Sequence, residues 1–191
     1  KLKSIMRIIG ITGSIASGKT TVARLLAGKK YPLYSADKVV TNLYKKKQFI
    51  KLLVKKFKLN KNKKIKEQIK FLIKKNKKNL YKLEKIAHPL VRKEMKTFLK
   101  KKNKFLFLEI PLLIESKINH YFDKIIFVNA EKKIRLKRYV KKKGKKKIFS
   151  LLDNRQLSPT VKKKLCDYII NNNNSLAILK KNVKNLMKNY E

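Results

Sequence analysis

Apolar positions along the chain follow two alternating patterns. Short continuous apolar runs, which are typical of strands buried on both faces, alternate with longer stretches in which apolar residues recur at helical spacing. The alternation of strands and helices predicts an α/β fold, in which helices cover both faces of a parallel sheet. The runs predict five strands, at residues 5–12, 32–36, 105–110, 124–128 and 167–170.

The stretches with helical spacing predict where several elements begin and end. Residues 38–103 are almost wholly helical, with a turn at 60–64 followed by a helix over 65–73. His88-Pro89 predicts an interruption, with His88 extended and Pro89 in the first turn of a new helix. The remaining predictions are a helix over 18–28 that ends at Gly28, Asn129 as the N-cap of a helix near Glu131, a break near Pro159, a loop over 171–174 and a helix over 176–187.

The first predicted strand runs directly into Gly13-Ser14-Ile15-Ala16-Ser17-Gly18-Lys19-Thr20-Thr21, which has the spacing of a phosphate-binding loop. The backbone N–H groups of such a loop converge on phosphate oxygens, and the following helix adds the partial positive charge of its N-terminus. We expect Lys19 to reach the β- and γ-phosphates and the Thr20 hydroxyl to help hold Mg²⁺. Residues 13–21 therefore predict a site for a nucleoside triphosphate.

The charge of the chain is extreme, with 54 Lys and Arg against 11 Asp and Glu and a formal net charge of +43. Such a charge is typical of nucleic-acid binders. Here, however, arginine is scarce, the lysines are spread along the chain, and Asn, Ile, Tyr and Phe are also abundant. Asn, Ile, Tyr and Phe share AT-rich codons with lysine, so we attribute the high positive charge to the base composition of the genome. We expect weak adhesion to polyanions and no specific nucleic-acid partner.

The remaining composition points to a cytoplasmic protein. We expect no secretory signal peptide, and no apolar segment reaches the roughly 18 residues that a membrane helix needs. Cys166 is the single cysteine, and we expect it to be a small buried side chain in a reducing compartment. The sequence makes no prediction about the oligomeric state.

Because acidic residues are so few, the candidate catalytic carboxylates can be enumerated. Asp37, Glu109, Glu115 and Asp167 lie at the ends of predicted strands or close to them. Phosphoryl transfer to a hydroxyl needs one carboxylate near the attacking oxygen and another near Mg²⁺. In a parallel sheet, ligands bind beyond the carboxyl ends of the strands, where Asp37 and Glu109 are expected.

Several spaced segments together resemble the dephospho-CoA kinase family, which catalyses the last step of coenzyme A biosynthesis. The resemblance covers essentially the whole chain, and Pro-Leu-Leu-x-Glu together with the upstream His-Pro is its most specific part. The segments are the phosphate loop, Ser35-Ala36-Asp37, His88-Pro89-Leu90-Val91, Pro111-Leu112-Leu113-Ile114-Glu115, Gln156, and Asp167-Tyr168-Ile169-Ile170 with Asn172.

The resemblance implies a single domain of the P-loop NTPase type, a three-layer α/β/α fold with a five-stranded parallel sheet. It implies a core of about residues 1–37, 104–139 and 161–191. A helical subdomain of about residues 38–103 would bind dephospho-CoA, and about residues 140–160 would form a small lid.

The resemblance also implies roles around the reacting groups. Asp37 matches the aspartate proposed as the base for the ribose hydroxyl, although a plain helix cap is the alternative. Ser35 stands where the family has another aspartate. Glu109 matches an acid that acts on Mg²⁺ with Thr20, directly or through water. The alternative for Glu109 is a carboxylate that only pairs with Lys19 or caps a helix.

Further matches concern the two substrates. His88, Pro111, Leu112 and Glu115 are implied on the dephospho-CoA side, with a purely structural role as the alternative for His88 and for Glu115. Arg138 is implied to act on the transferred phosphoryl group, and Lys142 stands in place of a further lid arginine. Asn172 is implied to bind ATP together with the phosphate loop. Ala16 replaces a glycine, which the loop tolerates if the φ angle of Ala16 is negative.

The predicted reaction is transfer of the ATP γ-phosphoryl group to the 3′-hydroxyl of dephospho-CoA, which gives coenzyme A and ADP. One alternative is a nucleoside or nucleotide kinase, because the loop also resembles that of uridine kinases. Another is a nucleic-acid-binding P-loop ATPase, and a third is a degraded kinase retained only for binding.

Overall fold

The structure, a computed structural model, describes residues 6–188. Its sheet has five parallel strands in the described part of the chain, in the spatial order β2-β3-β1-β4-β5. This confirms the predicted α/β class, although residue 5 of the first predicted strand lies outside the described residues. The strands are β1 (Arg7–Gly13), β2 (Leu33–Ser35), β3 (Phe105–Glu109), β4 (Lys124–Asn129) and β5 (Tyr168–Asn171).

Among residues 6–188, one α-helix lies between β1 and β2, four lie between β2 and β3, three lie between β4 and β5, and one follows β5. A short 3₁₀ helix, Asn119–Tyr121, precedes β4. The helices are α1 (Lys19–Ala27), α2 (Ala36–Leu43), α3 (Lys47–Phe57), α4 (Ile65–Lys75), α5 (Lys78–Leu99), α6 (Lys132–Lys141), α7 (Lys146–Asp153), α8 (Pro159–Lys164) and α9 (Leu176–Lys188).

The described residues form two compact units. One contains the sheet and comprises the residues before Ala36 and after Lys100, and the other is Ala36–Lys100. The helical unit has its own apolar core, which is built from α2, α3, α4 and α5 around Leu43, Phe49, Leu53 and Ile69.

The core of the sheet unit lies on both faces of the central strands. All five residues of β3 are buried, as expected for a parallel strand covered on both sides. Phe105 and Phe107 belong to the apolar cluster that contains α1 and α9, while the fully buried Leu106 and Leu108 alternate with them and so face the other side.

Several sequence predictions about element boundaries and caps are wrong. Pro89 lies inside the 22-residue helix α5 and does not begin a new helix, so His88 is helical rather than extended. Tertiary packing overrides the local signal here, because both halves of α5 contribute apolar side chains, among them Leu83 and Val91, to the core of the helical unit. The second predicted strand is also shorter than expected, since Ala36 already belongs to α2.

The third error is the role of Asn129, which does not cap α6. Asn129 ends β4, and its Nδ2 atom donates to Oδ1 of Asn171 at 2.8 Å. The N-cap of α6 is Glu131, whose side chain makes no capping bond. Asn171 itself pairs with β4 as the last residue of β5, so the predicted loop over 171–174 begins one residue later. Pairing between β4 and β5 was therefore stronger than the local preference of asparagine for caps and loops.

Candidate active site

The phosphate-binding loop joins β1 to α1, as the motif requires. Gly18 has a φ of 96° and caps α1, a conformation that favours glycine. A Cβ atom at Gly18 would lie 2.2 Å from Nδ2 of Asn172, and one at Gly13 would lie 2.6 Å from both Oγ of Ser17 and the carbonyl oxygen of Val128. Both glycines are therefore needed for the close approach of neighbouring groups to the loop.

Helix α1 presents its N-terminus at the end of this loop. The carbonyl of Gly18 accepts the first bonds of the helix, from the N–H groups of Thr21 at 3.0 Å and Val22 at 3.1 Å. The N–H groups ahead of them have no intrahelical acceptor and point out of the helix end. Since the first turn contains no acidic side chain, the positive end of the helix dipole is left for an anion.

Two side chains from later in the chain hold the loop. Oε1 of Gln156 accepts a hydrogen bond from the N–H of Ile15 at 2.8 Å, and Nδ2 of Asn172 donates to the carbonyl of Ser17 at 2.8 Å. Asn172 is itself buried, and its N–H donates to the carbonyl of Asn129 at 2.8 Å. Asn172 thus supports the loop, and its predicted contact with ATP stays a prediction.

The backbone of Ala16 does not have the negative φ angle at which the loop was expected to tolerate alanine. Its φ angle is +59°, in the left-handed region, where the family's glycine would be unstrained. For a residue with a Cβ atom this conformation costs about 1–2 kcal/mol. The loop therefore tolerates alanine only at a cost that surrounding contacts must offset.

Behind the loop, the structure brings together the two predicted Mg²⁺ ligands. Thr20 is the second residue of α1, and Glu109 is the last residue of β3. The hydroxyl of Thr20 donates a hydrogen bond to Oε1 of Glu109. Glu109 is only 1% exposed. The role of Glu109 at Mg²⁺ stays a prediction, as does the alternative in which it only pairs with Lys19 or caps a helix.

The same carboxylate tests whether these residues fit a metal ion. Oε2 of Glu109 is buried and has no hydrogen-bond partner among the described residues. A buried carboxylate oxygen without a partner is costly, whereas an oxygen ligand beside a threonine hydroxyl suits Mg²⁺ or one of its waters. Thr20 and Glu109 therefore fit the ion.

The Pro111–Glu115 segment follows β3 and is tied to the sheet unit by polar contacts. The hydroxyl of Thr12 donates to the carbonyl of Pro111 at 3.1 Å. Oε1 of Glu115 accepts from Nζ of Lys162 at 2.8 Å and from the N–H of Leu157 at 2.9 Å. Because Lys162 is fully buried, loss of Glu115 would leave an uncompensated charge in the interior. Glu115 thus has a structural role, while substrate contacts by Glu115, Pro111 and Leu112 stay predictions.

Sequence reasoning missed the residue that organises the start of α6. Arg135 is 2% exposed, and it donates from Nε to the carbonyl of Ala130 at 3.0 Å and from Nη1 to Oδ1 of Asp153 at 2.6 Å. Nη1 also lies 3.4 Å from the carbonyl oxygen of Ile15 in the phosphate loop. A signal was available, because an arginine kept in such a lysine-rich chain indicates a need for the guanidinium geometry.

The predicted phosphoryl-contacting residue, Arg138, lies one turn further along α6. Its Nη1 atom is buried and has no hydrogen-bond partner among the described residues. Lys142, the predicted replacement for a lid arginine, is the C-cap residue of the same helix and is exposed. A guanidinium with an unused donor can bind an anionic oxygen. The predicted lid, residues 140–160, contains the end of α6, all of α7 and the start of α8, and its movement stays a prediction.

A cavity of about 470 Å³ opens beside the loop within the sheet unit. Its polar lining includes Ser14 of the loop, Arg135 and Gln156. The other lining residues are Asn129, Ala130, Glu131, Lys132, Asp153, Asn154, Leu157, Ser158 and Pro159. The volume falls in the usual range for a small-molecule site.

Asp167 lies before β5, at the amino end of the strand, and so takes no part in this site. Burial alone would raise the pKa of its carboxyl. Hydrogen bonds from Lys124 and from the N–H of Ile125, both at 2.8 Å, outweigh that effect and leave the pKa of Asp167 below its ordinary value. The neighbouring Cys166 is half-buried, and burial raises the pKa of its thiol to about 11, so the thiolate is scarce at neutral pH.

Two predicted site residues belong to the helical unit. Asp37 is the second residue of α2, and its carbonyl accepts a hydrogen bond from the hydroxyl of Thr41 at 2.9 Å. His88 lies in the middle of α5 and is partly buried. Their contacts with either substrate stay predictions.

A parallel α/β sheet with a phosphate loop between β1 and α1, and a hydroxyl–carboxylate pair beside that loop, defines a P-loop nucleotide-binding protein. A shikimate kinase from Bacteroides thetaiotaomicron shares this fold, with a TM-score of 0.61 at 14% identity, and covers 96% of this chain and 98% of its own. The model of the dephospho-CoA kinase family matches residues 7–177. The chain belongs to the dephospho-CoA kinase family.

Individual relatives agree with this assignment over nearly the full length. A dephospho-CoA kinase from Fusobacterium nucleatum is 37% identical over 188 residues, which cover 94% of this chain and 96% of the relative. The structure of a dephospho-CoA kinase from Campylobacter jejuni is similar with a TM-score of 0.67 and 28% identity, and covers 97% of this chain and 98% of its own. The family match favours the first functional prediction over the uridine-kinase alternative.

Proposed function

We propose that this protein transfers the γ-phosphoryl group of ATP to the 3′-hydroxyl of dephospho-CoA. The hydroxyl oxygen forms a bond to the γ-phosphorus, the bond from that phosphorus to the bridging oxygen breaks, and ADP leaves. The observation that carries the proposal is the Thr20–Glu109 pair behind the phosphate loop of a chain in this family.

The phosphate loop and two neighbouring side chains hold ATP and its metal ion. Loop N–H groups and the N-terminus of α1 bind the phosphates, and Lys19 neutralises charge on the β- and γ-phosphates. Thr20 and Glu109 would hold Mg²⁺, which would offset the negative charge that develops on the phosphates. Support comes from the buried Oε2 of Glu109, which has no partner among the described residues.

Asp37 accepts the proton of the attacking hydroxyl. The chain leaves β2 at Ser35, which is in register with Glu109 on β3, and Asp37 follows two residues later. A carboxylate so close along the chain to the carboxyl end of β2 suits a base that faces a bound nucleotide. Ser35 cannot supply a second charge here, so proton acceptance depends on Asp37 alone.

Arg138 stabilises the phosphoryl group during transfer, with the unused Nη1 donor as its contact. Dephospho-CoA binds through His88, Pro111, Leu112 and Glu115. Asn172 adds a contact to ATP.

No helix among residues 6–188 is long and apolar enough to span a membrane. We place the enzyme in the cytoplasm, where ATP is available and a single thiol such as Cys166 stays reduced. Its net charge causes weak adhesion to polyanions, without a specific nucleic-acid partner.

The function is tested by an ADP-release assay in which dephospho-CoA and uridine are compared at equal concentrations. We expect ADP release with dephospho-CoA and Mg²⁺, and none above background with uridine. Turnover of uridine alone would refute the proposal. Nucleic-acid-stimulated ATP hydrolysis that does not require dephospho-CoA would favour a nucleic-acid-dependent ATPase instead.

The role of Asp37 is tested by Asp37→Asn, which keeps the shape of the side chain and removes its ability to accept a proton. We expect kcat to fall by about 10²-fold or more, while ATP binding changes little. The matched control is Glu67→Gln, which removes the same charge from an exposed position on α4 in the same unit. If Asp37→Asn behaves like this control, Asp37 is not the base.

A further inference from the structure

Ile15, in the middle of the phosphate loop, has both of its backbone groups bonded by distant side chains. Its N–H donates to Oε1 of Gln156 at 2.8 Å, and its carbonyl lies 3.4 Å from Nη1 of Arg135. These side chains come from positions 141 and 120 residues away along the chain. Contacts of this kind restrain the loop from outside rather than through its own turns.

The restraints lie on both sides of the one loop residue with a Cβ atom and a left-handed backbone. Ala16 has a φ of +59°. Arg135 and Gln156 hold the two peptide groups that precede it, and the N–H of Ser17 donates to the carbonyl of Ser14 at 3.1 Å on the other side. The φ angle of Ala16 describes rotation between the peptide groups that precede and follow this residue. Because hydrogen bonds fix the groups on both sides, the angle cannot relax to a negative value while those hydrogen bonds persist.

The two external side chains are themselves fixed. Arg135 is buried, bonded to Ala130 and Asp153, and lies over the ring of Phe149 at 5.6 Å. The backbone on either side of the Gln156 side chain is anchored too, because the N–H of Gln156 donates to Asp153 at 3.1 Å and the next N–H, of Leu157, donates to Glu115. Groups held in this way can impose a conformation on the loop instead of following it.

We propose that Gln156 is a positioning residue for ATP. With Arg135 as a second support, it keeps Ala16 in the left-handed conformation that turns the loop N–H groups toward the phosphates. The proposal rests on the proposed function only in requiring that the loop binds ATP. It accounts for the presence of alanine at a position where glycine would need no support.

The test is a double-mutant cycle between Gln156 and Ala16. Gln156→Leu removes the acceptor at similar size, and Ala16→Gly removes the strain that the acceptor offsets. The measurements are the Kd of Mg·ATP by calorimetric titration without the second substrate, the KM for each substrate, kcat, and the thermal midpoint of each variant. Gln48→Leu, the same change at an exposed position of α3, is the control.

We expect Q156L to weaken ATP binding about tenfold in the native background but no more than about threefold in the A16G background. The KM of Q156L for dephospho-CoA should stay within twofold of the value for the unmodified protein, and so should the Kd of Q48L for Mg·ATP. An equal or larger loss in the A16G background, or no loss in either background, would overturn the proposal. Failure of the unmodified protein to bind ATP would instead refute the proposed function, so the two failures are distinguishable.

Discussion

Buried basic side chains in this protein are neutralised by its scarce acidic residues. Lys162 pairs with Glu115 at 2.8 Å and Arg135 with Asp153 at 2.6 Å, and both cations are nearly or fully buried. A buried charge without a partner costs several kcal/mol, so removal of either carboxylate would destabilise the fold. Most lysines, in contrast, lie on the surface, where pairing contributes little.

Asp167 offers a test of this electrostatic arrangement by pH. Its folded-state pKa is lowered from 3.8, so its stabilisation is complete above that value and is lost as the pH falls through the lower folded value. Its partner Lys124 has a raised pKa, so the same pair weakens again when the pH rises past 10.5. We expect Asp167→Asn to lower the urea midpoint of unfolding at pH 7.

The difference between Asp167→Asn and the unmodified protein should shrink as the pH falls from 3.8 through the lower folded-state pKa of Asp167, because the carboxyl is then protonated and, like the amide, neutral. Glu67→Gln, at an exposed carboxylate 3.7 Å from Lys64, serves as the control and should change the midpoint little. A destabilisation by Asp167→Asn that is constant over the whole acid range would show that charge is not its cause.

Among the elements, the phosphate loop and its flanking strand and helix were predictable from sequence alone. Their spacing reflects local requirements, namely glycine at Gly13 and Gly18 and an apolar strand before the loop. Glu109 was also placed correctly, because it ends a strand that neighbours β1. Gln156, by contrast, was matched by resemblance without a role, since its contact with Ile15 spans 141 residues.

Helix α5 shows the opposite case, in which the local signal was misleading. Pro89 lacks an N–H group and cannot bond to the carbonyl four residues earlier, so it weakens a helix interior. The helix nevertheless continues, because its apolar residues pack into the core of the helical unit on both sides of Pro89. Packing energy over 22 residues exceeds the cost of one missing bond.

Pro89→Ala tests this account of α5. We expect the change to raise the free energy of unfolding by up to about 3 kcal/mol, because the missing hydrogen bond can form and the helix propensity improves. The measurement is equilibrium denaturation, with Lys93→Ala at an exposed position of the same helix as the control. A loss of stability in Pro89→Ala would mean that the proline geometry is itself required by the packing. The KM for dephospho-CoA, measured on the same variant, reports on the proposed role of the neighbouring His88.

At the scale of the whole molecule, the net charge of +43 is the dominant electrostatic property. Repulsion among like charges favours the expanded, unfolded chain, and salt screens it with a Debye length of about 10 Å at 0.1 M. The specific contacts of the site are short and partly buried, so they are screened much less.

We therefore expect the thermal midpoint to rise with ionic strength, by about 5 °C between 10 mM and 0.3 M potassium chloride. Sodium chloride should give the same curve, because screening depends on ionic strength and not on the cation. A midpoint that stays constant in both chlorides but rises in sulfate would contradict the prediction, since it would indicate anion binding to the phosphate loop instead of screening.

The amino-acid sequence by itself determined the α/β class, the phosphate loop and the family, because these depend on periodicity and on short motifs whose residues are neighbours along the chain. Only the tertiary structure decided the left-handed Ala16, the support of Ile15 by Gln156 and Arg135, the burial of Lys162 against Glu115, and the unbroken helix α5. Each of these results from contacts between residues far apart in sequence, and the energy of such contacts is absent from any local pattern.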